Sequence, residues 1–246
     1  MTICLETTRR VQRSRGPRPA AVLRRIAEEG SRRLAGASAA DVVAWAAAEF
    51  GTRLAVTSSM TDAVVTHLTA TARPGVDVLF LDTGYHFIET IETRDAVAAR
   101  LPVTVIDVRP DQSVPEQDAS YGRALFARDP SRCCALRKVA PLAGALEPYE
   151  AWVTGIRRAD GPARRRTKVV EWDLRRRMVK INPIVEWSDE DVAAYVATHD
   201  LPVNPLVAQG YPSIGCAPCT RPPEAGAGSR AGRWAGTDKT ECGLHP

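Results

Sequence analysis

The chain has 246 residues, 44% apolar and 25% charged, the composition of a soluble globular protein with a core of its own. No apolar run approaches the ~20 residues that span a bilayer, so a membrane role is not expected. A net charge of +4 is too small to make nucleic acid the expected partner.

Residues 1–20 hold Arg9, Arg10, Arg13, Arg15 and Arg18 against one acid, Glu6. No apolar run follows them, so they read as a basic, disordered tail and not as a secretory signal, and Cys4 has no role there. A cytoplasmic, reducing location is therefore expected, in which cysteines serve metals or catalysis and not stable disulfides.

Helices are predicted at Ala20–Leu34 and Ser38–Phe50. Short β-branched runs then alternate with helical patterns. The strands are Leu54–Thr57, Val78–Leu81, Val103–Val108, Trp152–Ile156 and Met178–Ile181. Helices Thr61–Ala72, Phe87–Arg100 and Ser131–Leu146 lie between the first four. A further helix over Asp189–Thr198 has Ser188 as N-cap and three acids in its first turn. This order predicts an α/β fold: one domain over 21–202, with a parallel sheet flanked by helices. Residues 203–246, rich in Gly and Pro, read as an irregular extension of that domain, of the kind that carries function.

Two strands end in loops suited to a nucleotide, because open parallel sheets bind ligands at the carboxyl ends of their strands. The first is Thr57-Ser58-Ser59-Met60-Thr61-Asp62, where hydroxyls and helix N–H groups can meet an anion. Ser59 or Thr61 could equally cap the helix that follows. The second is Leu81-Asp82-Thr83-Gly84-Tyr85, which read alone is an ordinary βα turn. The chain has no Walker lysine and no G-x-G-x-x-G. Arg157, Arg158, Arg164, Arg165, Arg166 and Lys168 crowd one segment, either as a solvated loop or as anion ligands.

Five of the six cysteines fall in three contexts. Cys133 and Cys134 open a helix, with Asp129 as N-cap and Pro130 at its first position. Adjacent helical residues point ~100° apart, so both thiols reach one centre only if it is bulky or the helix is distorted. An iron–sulfur cluster suits that better than zinc, which more often takes spaced pairs, and purely structural thiols are the third reading. Lys138, four residues beyond Cys134, shares its face unless it is a plain surface lysine. Cys216 and Cys219 form a C-x-x-C in a Gly/Pro loop and complete a set of four thiols. Cys242 stands apart near the C-terminus, with Arg230, Arg233 and Lys239 before it. It can be a nucleophile or an inert terminal thiol.

From about Trp45 onward the chain resembles the iron–sulfur adenylyl-sulfate reductases of assimilatory sulfate reduction, most closely the actinobacterial branch. The resemblance rests on Ser58-Ser59-Met60, on Leu-Asp-Thr-Gly-Tyr-His-Phe at 81–87 and on Cys-Cys-x-x-Arg-Lys at 133–138. Thr-Gly-x-Arg-Arg at 154–158, Asn-Pro-Leu at 204–206 and Gly-Tyr-Pro-Ser-Ile-Gly-Cys-Ala-Pro-Cys-Thr at 210–220 extend it. Arg-Ala-Gly-Arg-Trp at 230–234 and Lys-Thr-Glu-Cys-Gly-Leu-His at 239–245 complete it.

The resemblance implies an adenine nucleotide alpha-hydrolase-like fold with a modified pyrophosphate loop. It implies a [4Fe–4S] cluster on Cys133, Cys134, Cys216 and Cys219, and Cys242 as nucleophile. Nucleotide contacts are expected at Ser58, Ser59, Leu81, Thr83 and Gly84. Lys138, Arg164, Arg230 and Arg233 fall where the family places phosphosulfate or tail-docking contacts. The first loop departs from the commoner Ser-Phe-Ser-Gly pattern.

The expected reaction is reduction of adenosine 5′-phosphosulfate to sulfite and AMP, through an S-sulfocysteine on Cys242 that thioredoxin or a similar thiol discharges. The nearest rival is reduction of the 3′-phosphorylated nucleotide, whose enzymes generally lack the two cysteine pairs. More distant rivals are a tRNA thiolase, disfavoured by the weak net basicity, and an iron–sulfur redox sensor, which has no use for the two strand-end loops. Sequence leaves open whether the protein is a homo-oligomer.

Overall fold

A computed structural model describes residues 16–245. Cys4 and the arginines before position 16 lie outside them. Helices α1 (Ala20–Arg33) and α2 (Ala39–Phe50) precede a β/α alternation: β1 (Leu54–Ser58), α3 (Val64–Ala72), β2 (Val76–Leu81), α4 (Ile88–Arg100) and β3 (Val103–Val108). Short helices α5 (Val114–Tyr121) and α6 (Leu125–Arg128) lead to a longer one. It begins as α7 (Pro130–Cys134), widens into a π-turn over Ala135–Val139 and resumes as α8 (Ala140–Leu146). Strands β4 (Ala151–Val153), β5 (Val170–Asp173) and β6 (Met178–Ile181) and helix α9 (Asp189–His199) follow.

The six strands form one sheet in the order β3-β2-β1-β4-β6-β5. All neighbours pair parallel except β5, which is antiparallel to β6. The period of two along each strand sorts side chains into two cores. Leu54, Val56, Val78, Phe80, Val153 and Ile181 pack with the buried faces of α1, α2 and α3. Ala55, Leu79, Trp152 and Met178 point the other way, onto Leu142 and Leu146 of α8. Burial on both faces explains why these strands read as continuous apolar runs.

Four sequence expectations need correction. Edge strand β5 was missed, because its alternating Val170-Glu171-Trp172-Asp173 lies between two arginine runs. Strand β4 stops at Val153, short of Ile156. Helix α3 begins at Val64, where Asp62 Oδ1 accepts from the Val64 N–H at 2.9 Å. Ser59 and Thr61 therefore cap nothing and instead lie 3.3 Å apart, hydroxyl to hydroxyl. Helix α5 was also missed, although Ser113 and Glu116 form a full capping box around it. No helix among the described residues is long and apolar enough to cross a membrane.

The π-turn has a cause in the sequence. Pro141 has no N–H to give the Arg137 carbonyl four residues back, and its ring crowds that carbonyl. A π-turn places one extra residue in the helix at that point. It follows directly on the cysteine pair, which closes the α-turn before it.

Candidate active site

A cavity of about 270 Å³ opens at the carboxyl ends of β1, β2 and β4. Ser58, Ser59, Leu81, Thr83, Lys138, Arg164, Arg230 and Arg233 all line it, together with Cys216 and Cys242. Among the expected nucleotide contacts only Gly84 does not. Gly84 turns the chain at φ +73°, where a Cβ would meet Arg137 Nη2 and Val114 Cγ2 at 3.1 Å.

The two strand-end loops are held by side chains from far along the chain. Met60 is fully buried in the left-handed region at φ +58°, a conformation costly for a non-glycine residue. Asn204 holds it there, donating to the Met60 carbonyl at 3.2 Å and to Thr90 Oγ1 at 3.1 Å. In the second loop the Leu81 carbonyl accepts from His86 Nε2 at 2.8 Å. Burial lowers the His86 pKa, so its imidazole favours the neutral form. The Thr83 carbonyl accepts from Arg137 Nε at 2.5 Å, and Thr83 Oγ1 lies 3.3 Å from Cys216 Sγ. The Ala217 N–H donates to the Tyr85 carbonyl at 2.7 Å. The β2 loop and the C-x-x-C loop thus form one unit.

Cys133, Cys134, Cys216 and Cys219 line a second, nearly closed cavity of about 10 Å³, walled by Tyr85, Phe126, Arg137, Lys138 and Trp234. All four are free thiols. Burial and the three neighbouring thiols push Cys133 up to about 12. Burial and Cys216 push Cys219 up to about 11. Among the described residues no three His, Cys, Asp or Glu side chains form a site for a single metal ion. Lys138 and Cys216 line both cavities. Lys138 is therefore no surface lysine. Burial opposes its charge, but Cys216, Cys242 and Cys134 outweigh that and its pKa is raised.

The C-terminal tail lies in the large cavity. Glu241 takes a bidentate pair from Arg164, Nε at 3.1 Å and Nη2 at 3.2 Å, and a third bond from Arg230 Nη2 at 3.0 Å. The Gly243 carbonyl accepts from Arg175 Nη1 at 2.8 Å, and Lys239 Nζ donates to Ser131 Oγ at 3.2 Å. His245 stacks on Trp152, centroids 5.4 Å apart and planes 4° from parallel. Burial and the nearby Lys180, Arg164, Arg176 and Arg230 hold its imidazole well below its ordinary pKa. Burial and Arg164 bring Arg230 down to about 10 despite Glu241, a measure of how much positive charge is packed here. Arg233 donates to Ser213 Oγ at 3.3 Å and to the Ile214 carbonyl at 3.1 Å, and it covers the Trp234 ring at 4.7 Å.

Residues 53–222 match the model of the phosphoadenosine phosphosulfate reductase domain. The chain belongs to this family. It is 56% identical over 223 residues to the adenosine 5′-phosphosulfate reductase of Mycolicibacterium smegmatis, and 57% identical to that of Streptomyces coelicolor. Each match covers 91% of this chain and 94% of the relative. Among solved structures, the phosphate complex of the phosphoadenylyl-sulfate reductase from Candida auris superposes with a TM-score of 0.66 at 27% identity. That match covers 79% of this chain and 96% of the other. The FMN adenylyltransferase of Candida glabrata, at TM-score 0.55 and 12% identity, shares the fold alone. These neighbours fit an adenine nucleotide alpha-hydrolase-like architecture.

Within this reductase-family fold, several residues that sequence reasoning did not single out belong to the site. Asn204 and His86 stood inside quoted motifs without a role, and their bonds to Met60 and Leu81 supply one. Trp152, read only as a strand residue, forms the floor under the tail. Asp160 lines the cavity without any local pattern that announced it, whereas Arg157, read beforehand as one of a run of possible anion ligands, lines it too.

Proposed function

We propose that the chain reduces adenosine 5′-phosphosulfate to sulfite and AMP, with Cys242 as the nucleophile. The observation that carries this reading is the separation of thiols. Four share a nearly closed cavity, and only Cys216 of them also reaches the open one; Cys242 lines the open cavity only, beside two strand-end loops, four arginines and a lysine. The relatives named as adenosine 5′-phosphosulfate reductases support the same substrate.

In the first step Cys242 Sγ attacks the sulfur of the phosphosulfate. The bond from that sulfur to the bridging oxygen breaks, and AMP leaves with the electron pair. Arg164, Arg230, Arg233 and Lys138 surround the path of that charge and stabilise it electrostatically. In the second step a reduced thioredoxin-type thiol attacks Cys242 Sγ. Sulfite leaves, and the donor's second thiol resolves the mixed disulfide and restores Cys242. The two donor thiols supply both electrons, so the reduction divides into two covalent exchanges.

Cys133, Cys134, Cys216 and Cys219 fit a [4Fe–4S] cluster: the donor set is all thiol, encloses one space and has Lys138 and Arg137 beside it to balance negative charge. When bound, the cluster supplies a fixed charged anchor that ties the helix at Cys133 to the Cys216–Cys219 loop next to Lys138. The reductant and its reducing, cytoplasmic setting belong to the same proposal.

The test is sulfite release by anaerobically purified protein, with thioredoxin and either nucleotide. A higher kcat/KM for adenosine 5′-phosphosulfate is expected. A clear preference for the 3′-phosphorylated compound overturns the substrate but keeps the chemistry. No sulfite from either overturns the function.

A further inference from the structure

A continuous chain of ion pairs runs from the surface to the nucleophile's neighbour. Asp189, at the start of α9, accepts from Arg157 Nη2 at 2.6 Å. Arg157 Nη2 also pairs with Asp160 Oδ1 at 3.1 Å, and its backbone N–H donates to Asp160 Oδ2 at 3.0 Å. Asp160 Oδ2 accepts from Arg164 Nη1 at 2.7 Å. The opposite edge of that guanidinium, Nε and Nη2, is the edge that grips Glu241, and Arg230 closes the other side. Of these residues only Asp189 is largely exposed, at 75%; Arg164 is 12% and Asp160 14% exposed.

The geometry is that of an anion site. A guanidinium edge offering two parallel N–H groups, with a second arginine beside it, matches carboxylate, sulfate and phosphate alike. Asp160 occupies the one nitrogen that would otherwise let the fork rotate. The adjacent residue in the chain is Cys242, so an anion seated on the fork lies one residue's span from the thiol.

We infer that Glu241 is a built-in stand-in for the substrate's oxyanion: it fills the Arg164–Arg230 fork in the free protein and must be displaced when the nucleotide binds, while Asp160 fixes the edge of Arg164 that both compete for. This rests on the function proposed above and adds to it a competition inside the site. Substrate entry then frees the Glu241 carboxylate and loosens the tail's hold next to Cys242. Charge stays balanced, because one anion replaces another on the same pair of cations.

The inference predicts effects of opposite sign at two acids. Affinity for adenosine 5′-phosphosulfate is measured by calorimetry in a Cys242→Ala background, which binds but cannot react. Adding Glu241→Gln should tighten binding three- to tenfold. Glu241→Asp, which keeps the charge but shortens the reach to the fork, should also tighten it, and so separates displacement from mere loss of negative charge. Asp160→Asn should weaken binding by a similar factor with an unchanged melting temperature. Unchanged or weaker binding in both Glu241 variants overturns the inference and leaves the proposed function standing. Tightening by Glu241→Gln but not by Glu241→Asp overturns it too, since charge alone then accounts for the effect. If the Cys242→Ala protein binds no nucleotide, the proposed function falls, and the inference with it.

Discussion

The sheet and the C-terminal extension are held together by different physics. Around β1 and β2, position is set by burial: Leu54, Val56, Val78 and Phe80 are at most 1% exposed and pack on helices from both ends of the domain. Among the described residues after Leu201 there is no strand and the helices are single turns. There, buried apolar anchors are few (Leu206, Ile214 and Trp234), and position depends also on individual polar links: Asn204 to Met60, Ala217 to Tyr85, Thr83 to Cys216, Glu241 to Arg164. Apolar packing is cooperative and tolerant of detail, whereas a single polar link is lost with one atom. The proposed nucleophile Cys242 thus sits on the part held by single links, against a part held by packing.

The contrast breaks most sharply at the thiols. Cys133→Ser or Cys219→Ser should cost the protein its iron, about four per chain with as much sulfide, and at least ~100-fold in sulfite release. The sheet should remain, seen as an unchanged far-ultraviolet circular dichroism spectrum. Stoichiometric zinc without inorganic sulfide in active, anaerobically prepared wild-type protein would falsify the cluster assignment.

Leu54→Ala probes the other half. Leu54 is wholly buried beneath α2 and α3, and its loss should destabilise the fold by about 2–5 kcal/mol in denaturant titration. The variant's iron content below its melting transition should match wild type. Loss of iron from a still-folded Leu54→Ala protein would show that the two halves are not separable in this way.

A smaller effect is expected at His245. Its folded pKa lies well below the usual ~6.5, so the folded state keeps it neutral where the unfolded chain would take up a proton. The contribution is complete above about pH 6.5 and fades as pH falls from there toward the folded pKa. Limited proteolysis of the tail should therefore quicken as pH drops from 7.5 to 5.5. His245→Gln, with nothing to titrate, should flatten that dependence. An identical pH profile for the two proteins would sever the tail's docking from this imidazole.

The same division explains what could be read beforehand. The strands and the long helices were legible because their side-chain period is local, and β1, β3 and β6 lie where that period puts them. The caps Asp129 and Ser188 were legible for the same reason, and both accept the N–H three residues on. The cysteine set was legible by type and spacing alone. What was not legible depends on distant parts of the chain. Asn204 reaches Met60 across 144 residues of sequence, and Arg164 reaches Glu241 across 77. No local pattern reports such a bond, so Arg164 and Arg230 were expected to meet substrate or tail without a means of choosing between them. The π-turn lay between these cases: Pro141 was visible, but its consequence for Lys138 was not, and a residue that could have been exposed is buried.

The central claim, that Cys242 alone among the described cysteines carries the reacting group, has one direct measurement. Wild-type protein is incubated with adenosine 5′-phosphosulfate and no reductant, digested, and its peptides are weighed. The account predicts one sulfo group on the Cys242 peptide, AMP released in equal amount, and discharge of the adduct as sulfite on adding thioredoxin. An adduct on Cys216 or Cys219, or normal turnover by Cys242→Ser, contradicts it.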